Sequence, residues 1–280
     1  MDIHQQYVLL TGASGGIGEP IAHTLAARGA RLILLARDAQ KLEALRQSLP
    51  KPELHRVVSA DLTSEAGMEQ LQALVEELNR AQQRIAVVIN NAGTNQFCLL
   101  ARRSMESVQR ELALNLMTPI QIMHHVLQWS RKPQMVINIG SSLGAIGYPG
   151  YASYCAAKAG LHRFSEAMNR ELAGTGMKVL YLAPRATNTS LNSEAVQQLN
   201  RALGNRSDEP SLVAAQVAKM IETEQNVMWI GWPEKLLVRL NQLLPSLVSR
   251  AIRKQQPVLL SVFKSLKRDN SRRRVYEHYA

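Results

Sequence analysis

Seven short apolar runs punctuate the chain, at residues 7–10, 32–36, 55–59, 86–90, 134–140, 178–183 and 227–230. Each is nearly continuous in aliphatic or β-branched character, and most end in Gly, Asn, Asp or Ala. A strand with one wet face alternates polar and apolar positions. An unbroken run suits a strand covered on both faces, as in a parallel sheet. Between the runs the period changes. Ile21, Leu25 and Arg28 lead to Gly29 as a helix stop, and Leu71, Leu74, Val75 and Leu78 keep the three- and four-residue spacing of an amphipathic helix. Strand–helix alternation through about residue 230 predicts an α/β fold, a doubly wound parallel sheet of about seven strands with helices on both faces. No internal repeat or low-complexity linker breaks it. The expected organisation is one domain over 1–230 and a C-terminal extension over 231–280.

The remaining bulk properties narrow the class. At 280 residues, 46% hydrophobic and 20% charged, the chain can bury a substantial core and is neither disordered nor fibrous. The net charge of +11 is unevenly placed: residues 231–280 hold eleven Lys and Arg against three acidic residues, so the first 230 residues carry only +3. The basicity belongs to the extension, and no nucleic-acid partner is expected. Two cysteines, Cys98 and Cys155, do not make a disulfide framework and point to a reducing compartment. No run is long enough to span a bilayer, and the N-terminus lacks a basic flank and apolar signal segment, so a cytoplasmic location is expected.

The first run leads through Thr11-Gly12-Ala13-Ser14-Gly15-Gly16-Ile17-Gly18 into a helix. Gly12, Gly16 and Gly18 permit a tight turn and close approach of the backbone to a diphosphate, which the helix N-terminus then attracts. This spacing resembles the Thr-Gly-x-x-x-Gly-x-Gly motif of the short-chain dehydrogenase/reductase family, and further matches follow in order. Asn90-Asn91-Ala92-Gly93 is similar to that family's Asn-Asn-Ala-Gly motif, and Asp61 to its adenine-contacting Asp. Asn115, Ser141, Tyr154 and Lys158 resemble its catalytic tetrad. The resemblance covers roughly residues 6–230. It implies a nicotinamide cofactor held by Gly12, Ser14, Gly16, Ile17, Gly18, Arg37, Asp61, Asn91, Ala92, Gly93, Tyr154, Lys158, Pro184, Thr187 and Thr189. The acidic residue that accepts from a ribose 2′-OH in NAD sites is replaced here by Ala36, and the cation that follows, Arg37, can pair with a 2′-phosphate. NADP(H) is therefore expected over NAD(H), although Asp38 stands beside Arg37.

The expected chemistry rests on Tyr154 and Lys158, which are four residues apart and so share one helix face. An ammonium beside a phenol stabilises the phenolate and makes it a workable acid/base for a carbonyl oxygen. Ser141, preferred to Ser142 by spacing, would donate to the same oxygen. In the resemblance Lys158 also holds the nicotinamide ribose, and Asn115 positions a water that relays protons to the lysine. The family's Pro-Gly after the sixth strand is here Pro184-Arg185. In the resemblance this loop holds the nicotinamide amide through the backbone at Thr187. Arg185 is open to two readings, a substrate-anion contact or a surface residue, and 191–210 suits a flap over the substrate. Cys98, Cys155, His124 and His125 have no metal-ligand spacing, so no metal is expected.

In the extension, Leu236, Leu237, Leu240, Leu243, Leu244, Leu247, Val248 and Ile252 form a helical stripe interrupted by Pro245, followed by 257–263 and the cluster Arg272-Arg273-Arg274. Three readings stay open: a peripheral membrane contact, a hydrophobic rim at the substrate mouth or an oligomer contact, and an ordinary packed extension. The expected function is an NADP(H)-dependent oxidoreductase interconverting a ketone and a secondary alcohol on an apolar or acyl-type substrate, which points to lipid metabolism. A 3-oxoacyl reductase fed by an acyl carrier protein, attracted by Arg102, Arg103, Arg131 and Lys132, is one alternative. A catalytically silent nucleotide-binding scaffold is another. The resemblance implies a homo-oligomer formed through the helices containing Asn115 and Tyr154.

Overall fold

Seven strands, β1 (Tyr7–Thr11), β2 (Arg31–Ala36), β3 (Arg56–Ser59), β4 (Ile85–Asn90), β5 (Met135–Ile139), β6 (Lys178–Ala183) and β7 (Val227–Trp229), form one sheet in the computed structural model. Their order is β3-β2-β1-β4-β5-β6-β7, and every neighbouring pair is parallel. The structure describes residues 1–263 apart from 190, 191, 193, 205, 206 and 233. Ten α-helices are described: α1 (Gly18–Ala26), α2 (Ala39–Ser48), α3 (Glu65–Arg80), α4 (Met105–Leu112), α5 (Thr118–Gln128), α6 (Ala152–Glu171), α7 (Glu194–Ala202), α8 (Pro210–Thr223), α9 (Glu234–Leu243) and α10 (Pro245–Lys254). A further helical segment covers 256–263.

The seven apolar runs are the seven strands, with ends moved by a residue or so. At β5 the flanking Gln134 and Gly140 still donate backbone hydrogen bonds to the neighbouring strands. Alternate residues of each strand enter different cores, which is why the runs are unbroken. Val8, Leu10, Leu32 and Leu34 pack under α1, α2 and α8. Leu9, Ile33, Leu35 and Val88 pack under α3, α5 and α6. The Gly29 stop also holds, because the N–H groups of Gly29 and Ala30 close back on the carbonyls of Ala26 and Leu25.

Strand order reverses between β1 and β4, since the chain first winds outward to β3 and then returns to the other side of β1. In open parallel sheets the crevice at this reversal is the usual ligand site. The turn after β1 and the Asn-Asn-Ala-Gly segment after β4 flank it.

One polar chain crosses the buried layer. Asn90 Nδ2 donates to Asn138 Oδ1 at 2.7 Å, Asn138 Nδ2 donates to Ser165 Oγ at 2.8 Å, and Ser165 donates to the Leu161 carbonyl at 2.6 Å. It ties β4, β5 and α6 together below the crevice. Replacing Asn138 with Leu strands the Asn90 amide in the core. Urea unfolding is expected to show a loss of about 1–3 kcal/mol.

Candidate active site

Gly12 takes a left-handed φ of +62° at the end of β1. There a Cβ would lie 2.8 Å from the Ala92 Cα, and at Gly18 one would lie 2.2 Å from the Gly12 carbonyl oxygen. The two glycines let the turn fold against both β4 and its own helix. Asn91 locks it, donating from Nδ2 to the carbonyls of Thr11 and Gly12 at 3.1 and 3.0 Å. Thr11 Oγ1 in return accepts from the N–H groups of Asn91 and Ala92, both at 3.0 Å. Asn91 therefore shapes the glycine turn, and its amide is taken up in doing so.

The helix that follows carries no side-chain cap, as is true also of α5, α6, α8 and α10. α2, α3 and α4 begin with side-chain caps from Asp38, Ser64 and Ser104, whereas α1 begins at Ile17 with none. Among its leading N–H groups that of Glu19 is taken by the Gly15 carbonyl at 3.1 Å and Pro20 has none, so it is chiefly the positive dipole end that would draw an anion. Ser14 sits half-buried in the same turn. Thr189 from the loop after β6 closes over it, because a Cβ at Gly16 would meet the Thr189 side chain at 2.5 Å. An uncapped helix start, a backbone cradle and a covering threonine fit a dinucleotide diphosphate.

At the adenosine end, Asp61 accepts from the Thr63 N–H and hydroxyl at 2.9 and 2.7 Å, and these bonds hold its carboxyl below the usual range. Arg37 is exposed. Asp38 accepts from the Lys41 N–H at 3.0 Å as the cap of α2. The acidic neighbour of Arg37 is thus committed to a helix.

The other half of the crevice is assembled from β5 and α6. Ser141, buried, follows β5; its Oγ accepts from the Leu143 N–H at 3.1 Å, leaving its proton free to be donated elsewhere. Tyr154 and Lys158 share a face of α6, with Lys158 Nζ 5.8 Å from the Tyr154 ring centre. Nζ donates to the Ile139 carbonyl at 2.9 Å. Burial pushes the Tyr154 phenol up to about 12, with hydrogen bonding to Ser141 pulling the other way. Burial also lowers Lys158 to about 8. Desolvation thus dominates at Tyr154 and favours its protonated, donating form.

Asn115 lies on a five-residue π-turn, Ala113–Met117, between α4 and α5. A regular helix was expected there. The wider turn accommodates the Asn115 amide, whose Nδ2 donates to the carbonyls of Thr94 at 2.7 Å and Glu111 at 2.9 Å. Gly93 is the meeting point, since a Cβ there would lie 2.8 Å from Asn115 Oδ1 and 3.7 Å from Lys158 Nζ. The structure thus brings Asn115, Gly93, Lys158, Tyr154 and Ser141 to the ends of β4 and β5.

The loop after β6 is tied down at several points. The Pro184 carbonyl accepts from Ser142 N–H at 2.9 Å, and the buried Thr187 receives Asn192 Nδ2 on its carbonyl at 2.6 Å. Arg185 takes neither of its expected roles. Its guanidinium donates to Asp208 at 2.6 Å and to Glu234 of α9 at 3.4 Å, so the residue replacing the family's glycine is an internal tie. Arg103 is corrected likewise. It and Glu111 form a buried ion pair at 2.6 Å, with side chains only 3% and 2% exposed, completed by Ser153 at 2.5 Å. It cannot attract a carrier protein.

Two further features bear on the site, the first with no sequence expectation. Tyr181 Oη accepts from the Ser141 N–H and faces the carbonyls of Ser141 and Lys158, all within 3.4 Å, and thereby holds β5 to α6. A single aromatic in the aliphatic β6 run was its only signal. The second is an aromatic series from the extension to the site. Phe263 stacks on Phe97 at 4.7 Å, Phe97 meets Tyr151 at 5.1 Å, and Tyr151 meets Tyr154 at 5.9 Å.

Comparison with known proteins decides the family. Residues 6–200 match the short-chain dehydrogenase family model. The chain belongs to the short-chain dehydrogenase/reductase family. It is 31% identical over 216 residues to carbonyl reductase family member 4 of Danio rerio, covering 76% of this chain and 89% of that protein. It is 33% identical over 193 residues to the 3-oxoacyl-acyl-carrier-protein reductase of Escherichia coli, covering 68% and 77%. Among solved structures, a short-chain dehydrogenase from Streptomyces avermitilis superposes with a TM-score of 0.73 at 24% identity, covering 91% of this chain and 97% of the other. One from Burkholderia cenocepacia, solved with NADP, gives 0.73 at 21%, covering 90% and 99%. The protein is an oxidoreductase of this family, whose members use a nicotinamide cofactor.

Lys158 is expected to set a pH limit. Because its ammonium is lost as pH rises through about 8 while Tyr154 keeps its proton to about 12, kcat/KM for the nucleotide, which reports the free enzyme, should fall above pH 8. The limb should vanish in Lys158→Met, measured by initial rates between pH 6 and 10.

Proposed function

We propose that the protein is an NADP(H)-dependent reductase that interconverts a ketone and a secondary alcohol on an apolar or acyl-type substrate, with Tyr154 as the proton donor. The carrying observation is that a protonated Tyr154, a Ser141 hydroxyl free to donate and the Lys158 ammonium converge at the end of β5. There Tyr154 packs against a buried apolar cluster of Phe97, Tyr151, Val196, Leu199, Leu259 and Phe263. The chemistry that a bound nicotinamide would supply there is hydride exchange with the carbonyl carbon. Ser141 donates a hydrogen bond to the carbonyl oxygen and Tyr154 delivers the proton to it. Lys158, held on Ile139 by one of its three donors, has others for a ribose hydroxyl and for the phenolate that remains.

The cluster supports the apolar substrate, because its partly buried members, among them Leu99, Leu143 and Leu203, would take hydration from a polar group without replacing it. The names of the zebrafish and Escherichia coli relatives, a carbonyl reductase and a 3-oxoacyl reductase, are consistent with reduction of a ketone. Arg37, unpaired among the described residues while Asp38 caps α2, supports NADP(H).

Tyr154→Phe is expected to lower ketone-dependent NADPH oxidation about 10²–10⁴-fold, the usual contribution of a positioned general acid, with nucleotide affinity changed little. Equal rates would overturn the mechanism. Arg37→Ala is expected to lower kcat/KM for NADPH by about 10–100-fold and leave that for NADH in place, since only the 2′-phosphate loses a charge-assisted partner.

A further inference from the structure

The helices α9 and α10 carry an apolar face that the fold does not cover. Val238 and Val248 are buried, and Asn241 Nδ2 donates to the Ala145 carbonyl at 2.9 Å, which fixes the side of the pair that faces the domain. On α9, Leu236 and Leu243 stand two turns apart on the opposite side. With Trp232, Leu237, Leu244 and Leu247 they remain exposed, Leu243 at 78% and Trp232 at 74%. A monomeric surface seldom concentrates six large apolar side chains in sixteen residues without a partner.

The charges around this face select the partner. Lys235, Arg239, Arg250, Arg253 and Lys254 are all exposed, and none is in an ion pair among the described residues. The single acidic residue over 232–254, Glu234, is taken by Arg185. A second copy seated through the same face would bring its own five cations against these, at a repulsive cost. A surface that is apolar at depth and anionic at its boundary accepts both features at once. Among the described residues no helix is long and apolar enough to cross a membrane, so any contact through this pair is at the interface.

We propose that α9 and α10 dock the protein on an anionic lipid bilayer, with Trp232 and the exposed leucines entering the headgroup–acyl boundary and the five cations facing lipid phosphates. The docking surface lies beside the candidate active site. Gln255, directly after α10, accepts from the Tyr148 hydroxyl at 2.8 Å, and the segment that follows delivers Phe263 to the Phe97 ring. The docking stands apart from the substrate reading and holds whichever carbonyl the enzyme reduces.

The test is flotation of the full chain with vesicles of phosphatidylcholine alone and with vesicles containing about 30% phosphatidylglycerol, a strongly anionic surface. The floated fraction is expected to be at least about tenfold larger with the anionic vesicles and to fall as salt is raised. Leu236→Glu/Leu243→Glu is expected to return it to the neutral-vesicle level while unfolding at the same temperature as the parent. Trp232 emission should shift to the blue with anionic vesicles, and Trp232→Phe should remove that shift. Recovery of the full chain in the soluble fraction with both vesicle types would overturn the proposal. So would a variant that floats as well as its parent. Concentration-dependent dimers that the double variant abolishes, without vesicle binding, would assign the face to a second copy instead.

Discussion

The buried ammonium of Lys158 is the interaction on which the candidate site depends. An unpaired cation in a core is costly, and here it is held by the Ile139 carbonyl at the very end of β5. That bond fixes α6 in height and rotation over the sheet, and Tyr154, one turn earlier, is carried into place beside Ser141. Tyr181 closes the same joint from the next strand by binding Ser141 and facing the Lys158 carbonyl. Gly140 and Gly144 leave room for it: a Cβ at Gly140 would lie 2.0 Å from the Tyr181 ring, and one at Gly144 would lie 2.7 Å from its hydroxyl. Burial then acts on the two titrating groups in opposite senses, keeping the phenol protonated and making the ammonium easier to discharge.

Much of the architecture was legible from periodicity. An unbroken apolar run has one good solution, a strand sandwiched between two helix layers, and all seven runs found it. The glycine turn was legible for a related reason, since only glycine permits the backbone approaches made at 12 and 18. The four residues of the tetrad were placed by resemblance, and the structure brings them to one place. What escaped the sequence were pairings between distant positions. Arg103 read as a surface cation, yet Glu111 neutralises it in the core and Ser153 completes the pair. The π-turn at Asn115 depends on where Thr94 is held, which no local pattern encodes. The sense of the Tyr154 shift was hidden because desolvation is a property of the packed state alone.

The extension shows a similar division. Its helical stripe and the break at Pro245 were plain, and α10 indeed begins at that proline. The stripe did not reveal that only part of it faces inward. Val238 and Val248 anchor the pair, and the chain beyond α10 completes the apolar cluster around Phe97 and Tyr151. One stretch of sequence therefore serves two sides, one turned to that cluster and the other to the outside.

Arg185 has a mechanical consequence. A glycine at this position would leave the segment after β6 to bend on its own hinges. The guanidinium instead grips Asp208 with one nitrogen and reaches Glu234 with another, so the segment and the first turn of α9 share a single clasp. Displacing the first turn of α9 therefore has to break or drag the Arg185 contacts, four residues before the threonine that covers the glycine turn.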